Sequence, residues 1–246
     1  ELWSAISVSA MLLLIVGLGG SSRGWQALQV PEFSVQHRTV TFDHRGVGES
    51  EDPGGAFSTA DLADDTARLL DVLGIARAHV LGAFMGGMVA QELALRHPGR
   101  VERLVLVGTY ARPDAKRRML LEKWKAMIEH GLPLELVAQE RMLWTLSDET
   151  LEQTDLIDPM MQGFLRDRFP MPDDVFLRQC DACLGHDALA RLESLRQPTL
   201  IVCGNEDLLT PPRLHRELSA AVPDAQLVTI PGAAHLVMAA APKRFN

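Results

Sequence analysis

Six short runs rich in aliphatic and β-branched residues recur along the chain: Met11–Val16, Arg38–Phe42, Ala78–Leu81, Val101–Val107, Thr199–Cys203 and Gln226–Ile230. The stretches between them carry apolar residues at helical spacing. Strands that alternate with helices, rather than meeting through tight turns, must lie parallel in one sheet with helices on both faces. An α/β fold with a mostly parallel sheet is therefore expected. The first run, within Ala10–Leu18, is about half as long as a membrane crossing and has no basic segment before it. It reads as a buried strand, not as a span or a signal peptide. Leu2–Val8 reads as an additional edge strand. The chain opens without Met and stops in the helical pattern of Pro242–Asn246, so both ends are expected to continue.

Ser58–Leu73 predicts a helix with Ser58 as N-cap and Leu62, Leu69, Leu70 and Leu73 on one face. Met85–His97 and Pro211–Ala221 are two more. Residues 113–189 break the rhythm, with helical texture throughout and no strand pattern. They hold six of the ten methionines, Trp124 and Trp144, and nine basic against fifteen acidic residues. This predicts a helical lid over 113–189, inserted into a core made of 1–112 and 190–246. Trp124, Met127 and Trp144 from the lid, with Ser22 and Tyr110 from the core, are candidates to line a pocket for a small, partly apolar molecule.

At 246 residues and 47% hydrophobic, with 23% charged, the chain has ample apolar side chain for a packed core. A net charge of −8 lacks the basic face that nucleic-acid binding needs. Three cysteines, Cys180, Cys183 and Cys203, cannot build a disulfide framework, which favours a reducing, cytoplasmic setting. Cys180 and Cys183 have no second ligand pair at zinc spacing and read as helix-face residues. No metal, organic cofactor, nucleic acid or membrane partner is implied. A methionine-rich lid leaves a homodimer open.

Four segments stand at strand C-terminal ends, where parallel sheets place ligands. Gly17-Leu18-Gly19-Gly20-Ser21-Ser22 has neither the Lys-Ser/Thr of a phosphate loop nor the context of a dinucleotide fingerprint. Its glycines leave amides exposed to an anion or a polarised carbonyl. Asp43-His44-Arg45-Gly46-Val47-Gly48-Glu49-Ser50 reads as a turn fixed by Asp43 and Arg45. Gly82-Ala83-Phe84-Met85-Gly86-Gly87 carries small residues two before and two after its centre, the steric requirement of a sharp strand-to-helix elbow. Finally, Asp207 follows the fifth strand run and His235 the sixth. A carboxylate there can hold one imidazole nitrogen and leave the other free as a base. The other seven histidines lack such company.

Together these marks resemble the α/β-hydrolase superfamily over nearly the whole chain, in the order elbow, acid, histidine. They are Gly17-Leu18-Gly19-Gly20, Asp43-x-Arg45-Gly46-x-Gly48-x-Ser50, the Gly82-to-Gly87 elbow, Asp207 with Thr210-Pro211, and His235. Within the superfamily the chain is similar to small-lid bacterial members, the 3-oxoadipate enol-lactonases and the aminoacrylate hydrolases. The latter likeness rests on the first glycine segment, Arg117-Arg118 with Trp124, and Asp207-Leu208-Leu209. The resemblance implies Asp207 as acid, His235 as base, and the Leu18 and Met85 amides as oxyanion donors. After the fourth strand run, Gly108-Thr109-Tyr110 offers no competing carboxylate.

One position departs. The elbow pattern is G-x-S-x-G, and its centre here is Phe84, which cannot attack a carbonyl. Three readings follow: an enzyme in which His235, held by Asp207, activates water or takes a substrate proton; a ligand-binding protein without catalysis; and a serine esterase or lactonase inactivated at residue 84.

Overall fold

The computed structural model describes residues 10–166 and 170–246. Six parallel strands form one sheet: β1 (Met11–Ile15), β2 (Arg38–Thr41), β3 (Ala78–Ala83), β4 (Val101–Val107), β5 (Thr199–Gly204) and β6 (Gln226–Ile230), in the order β2-β1-β3-β4-β5-β6. The strand runs expected from sequence all form: β4 and β6 with the expected bounds, the other four with C-terminal ends shifted by one or two residues. Leu2–Val8 lies outside the described residues.

Burial explains the composition of each strand. The residues Leu12 to Ile15 of β1 and all of β3 are covered on both faces, so they read as continuous apolar runs. The edge strand β6 is largely exposed and carries Gln226 and Thr229 among its aliphatics.

Helix α1 (Thr59–Val72) begins in a capping box: the Asp61 amide donates to the Ser58 hydroxyl, and the Ser58 amide donates to the Asp61 carboxylate. Its buried face is Leu62, Ala63, Thr66, Ala67 and Leu70. Leu73, expected on that face, is instead the C-cap and is exposed. There the helix ends at Gly74, whose φ of +66° is the left-handed conformation that closes a helix C-terminus. Helix α2 (Met85–Arg96) is buried almost all round, packed between the sheet and α1.

Between β4 and β5 the described residues are helical without a strand: α3 (Ala115–Glu129), α4 (Leu134–Thr145), a single turn at Asp148–Leu151, α5 (Thr154–Leu165) and α6 (Asp173–Gly185). Cys180 and Cys183 lie buried on α6, where burial pushes the Cys180 thiol up to about 12. Helix α7 (Pro212–Ala221), between β5 and β6, packs against both. Among the described residues no helix is long and apolar enough to cross a membrane.

Candidate active site

The turn from β3 into α2 is closely packed. A Cβ on Gly82 would press against the Gly86 backbone and lie 2.8 Å from the Ala90 Cβ, and one on Gly86 would run into the Ile15 and Val16 carbonyls. Strand, elbow and helix meet at this distance only because both positions are glycine. Between them Phe84 has φ 60° and ψ −120°, a backbone region that L side chains avoid. The turn is held from two sides: the Phe84 amide donates to the Val107 carbonyl (2.9 Å), and the Thr109 hydroxyl donates to the Phe84 carbonyl (2.8 Å).

Asp207, after β5, and His235, after β6, meet above this turn. The His235 Nδ1 lies 2.8 Å from Asp207 Oδ2. Thr210 completes the arrangement, its amide donating to Asp207 Oδ1 and its hydroxyl to Oδ2, both at 2.7 Å; that hydroxyl is also 3.1 Å from His235 Nδ1. Burial pushes the Asp207 carboxyl up, but the His235 imidazole and the Thr210 hydrogen bonds outweigh it and hold the group below its ordinary value. An ionised Asp207 takes the Nδ1 proton in a hydrogen bond and leaves Nε2 bare. Among the described residues Nε2 has no hydrogen-bond partner, and it is not one of the sealed polar atoms.

The Phe84 ring stacks on the His235 imidazole, centroids 4.2 Å apart and planes 28° from parallel. On its far side the ring meets Gly17, where a Cβ would sit 2.6 Å away, and it also borders Gly108. The imidazole is only 3% exposed. The ring therefore covers one face of His235.

The first glycine segment adjoins this stack. Gly17 abuts Phe84, the Leu18 amide follows, and the Met85 amide opens α2; neither amide has a hydrogen-bond partner among the described residues. The Ser22 amide donates to Asp43 Oδ1 (2.6 Å) and the Ser50 hydroxyl to the Asp43 carbonyl, so the second glycine segment braces the first. Arg45 pairs with Asp65 at 2.6 Å.

The remaining sequence candidates spread out. Tyr110 and Trp124 are buried in the core, with Met127 and Trp144 packed against it. Trp144 donates to Glu140 (2.9 Å) beneath Lys116. Trp124 reaches the glycine segment through Arg141, whose guanidinium carbon lies 5.9 Å from its ring and whose Nη2 donates to the Leu18 carbonyl (3.0 Å). Arg141 and Thr210 were not singled out from sequence; Thr210 stood in the Asp207 motif, while Arg141 had no local signal. A groove of about 790 Å³ opens away from these residues, between α4 and α5, and is lined by Met142, Leu143 and Met161 among others.

The α/β-hydrolase fold model matches residues 10–242. BpoC of Mycobacterium tuberculosis, named as a non-heme bromoperoxidase, is 33% identical over 239 residues, covering 96% of this chain and 90% of its own. Its crystal structure superposes with a TM-score of 0.87 over 96% of this chain and 89% of that one. RutD of Azorhizobium caulinodans, named as a carbamate hydrolase, is 30% identical over 235 residues, covering 96% and 88%. The enol-lactonase of Burkholderia xenovorans, 26% identical with coverage of 96% and 88%, gives a TM-score of 0.83. The family model over residues 10–242 and the likeness to BpoC place the chain in the α/β-hydrolase fold family.

Proposed function

We propose that this chain is an enzyme acting on a small, partly apolar carbonyl compound, with His235 as general base, Asp207 as the group that orients it, and the Leu18 and Met85 amides as oxyanion donors. The observation that carries the reading is the 2.8 Å contact between His235 Nδ1 and Asp207 Oδ2, with Nε2 left unpartnered. A carboxylate that fixes the imidazole tautomer makes Nε2 an acceptor for a proton from water or from an acidic substrate C–H. Free amides at the end of β1 and the start of α2 suit the negative charge that then grows on a carbonyl oxygen, an effect worth about 3–4 kcal/mol per donor in a comparable enzyme.

Phe84 stands where the family pattern carries a nucleophile, so no acyl-enzyme step passes through it. Its ring forms an apolar wall beside Nε2. Hydrolysis by activated water, hydration, elimination and rearrangement all fit a base of this kind. The segment 113–189 serves as the lid. Its helix α4 touches both sides of the site, through Arg141 on the Leu18 carbonyl and through the Thr145 carbonyl, which accepts from the Leu236 amide (3.2 Å).

A second reading is favoured by the stack itself. An aromatic ring held at φ 60° against the imidazole is what a serine esterase or lactonase would carry after losing its hydroxyl at residue 84. Turnover of a panel of small esters, enol lactones, carbamates and activated alkenes separates the two. Loss of a wild-type reaction in His235→Ala supports the base reading. An inactive wild type that gains ester hydrolysis in Phe84→Ser supports the second. A wild-type reaction that survives His235→Ala unchanged overturns the base reading.

A further inference from the structure

Arg141 is a partly buried cation with no carboxylate partner among the described residues. It projects from α4, half-buried, and its guanidinium carbon lies 5.3 Å from the Phe176 ring, 5.9 Å from Trp124 and 6.0 Å from Phe164. Of its five N–H donors one is used, by Nη2 to the Leu18 carbonyl. No carboxylate pairs with it among the described residues, although residues 113–189 hold fifteen acidic side chains. Most other arginines of that region are paired with a carboxylate or lie at the surface; Arg178, for instance, is clasped by Asp52 and Asp174. Aromatic faces offset part of the desolvation of a guanidinium but leave its in-plane donors unsatisfied.

Gly19 lies directly under this group. A Cβ there would meet Arg141 Nη2 at 2.7 Å and Nη1 at 2.8 Å, and the residue has φ +69°, so both the backbone and the guanidinium require glycine. On its other side the Gly19 amide donates to Gln179 Oε1 (2.9 Å). Gln179 is fully buried on α6, and its Nε2 is a sealed donor without a partner. Two sets of idle donors, from α4 and α6, thus flank one glycine of the segment that abuts Phe84. The free nitrogens of Arg141 are not sealed atoms.

We infer that Arg141 anchors a planar carboxylate on the molecule that this site takes, and so selects anionic carbonyl compounds over neutral ones. A guanidinium fork matches a carboxylate through two parallel hydrogen bonds. The inference rests on the reading of the Phe84–His235 pair as part of a substrate site.

The test is a titration of the whole chain with benzoate and, separately, benzamide, followed by the indole N–H resonance of Trp124 (assigned with Trp124→Phe). Expected are saturable benzoate binding, at least tenfold weaker benzamide binding, a loss of tenfold or more for benzoate in Arg141→Gln, and an intermediate loss in Arg141→Lys. Equal binding of acid and amide by the wild-type chain overturns the inference, and this comparison needs no variant to fold. So does benzoate affinity unchanged in Arg141→Gln, or inorganic phosphate competing as strongly as benzoate. Failure of the two readings is distinguishable. Arg141-dependent benzoate binding without any His235-dependent turnover removes the base and keeps the anchor. His235-dependent turnover that ignores charge on the substrate and is unchanged in Arg141→Gln removes the anchor and keeps the base.

Discussion

The phenyl ring of Phe84 stacks on the imidazole of His235 at 4.2 Å, although the Phe84 backbone sits at φ 60°. Side-chain contact and backbone conformation therefore pull against each other at one residue. Phe84→Ala and Phe84→Gly remove the same ring, but only glycine is at ease in that backbone region. The glycine variant is expected to be the more stable of the two by about 1–2 kcal/mol. Urea melts of the pair measure it, and equal midpoints would show that the turn is unstrained.

Two helical glycines make an opposite pair. A Cβ on Gly86 has nowhere to go but into the Ile15 and Val16 carbonyls, while one on Gly163, exposed on α5, meets nothing within 4 Å. Gly86→Ala is expected to lose about 3 kcal/mol or more, by forcing β1 and α2 apart. Gly163→Ala is expected to gain about 0.5–1 kcal/mol, as alanine does in an unobstructed helix. Thermal unfolding of both variants tests the packing directly.

Acid sensitivity is expected from two buried histidines outside the proposed dyad. Burial pulls both His186 and His215 from 6.5 down to about 4. Between those values the unfolded chain binds protons that the folded chain refuses, so stability falls as pH drops from 6.5 toward 4. The slope approaches about 1.4 kcal/mol per pH unit for each histidine. Chemical denaturation across this range should show the decline in the wild type and a flatter profile in His186→Asn. A pH-independent wild type would mean that neither ring is neutral by necessity.

The sheet was legible because its signal is local. Apolar runs such as Met11–Ile15 declare a strand covered on both faces, and glycine spacing from Gly82 to Gly87 declares the elbow. Asp207 and His235 were legible as strand-end residues in a fixed order. What sequence could not supply was partnership in space. Leu73 has the right helical phase, yet the helix ends beneath it. Trp124 and Tyr110 looked like pocket residues, and aromatic identity does not say that their burial is in the core. Arg141 is one of nine basic residues in its stretch, and only the fold reveals that no carboxylate pairs with it among the described residues. The stack of Phe84 on His235 joins positions 151 residues apart, and nothing in either local pattern foretells it.

The tautomer of His235 can be read without knowing any substrate. With Asp207 ionised and 2.8 Å from Nδ1, the proton belongs on Nδ1 and Nε2 is bare. In Asp207→Asn, the carboxamide can turn its NH₂ toward the ring, which favours a proton on Nε2 instead and removes the acceptor from the side of the cleft. Nitrogen-15 spectra, with the His235 signals identified by their loss in His235→Gln, should show the Nδ1–H form in the wild type and a shift toward the Nε2–H form in the variant. If turnover depends on Nε2 as base, the same substitution should lower kcat by about 10⁴-fold, the loss that a wrong tautomer causes in a comparable triad. A full exchange of tautomer with kcat unchanged would separate the geometry of this pair from any part in the chemistry.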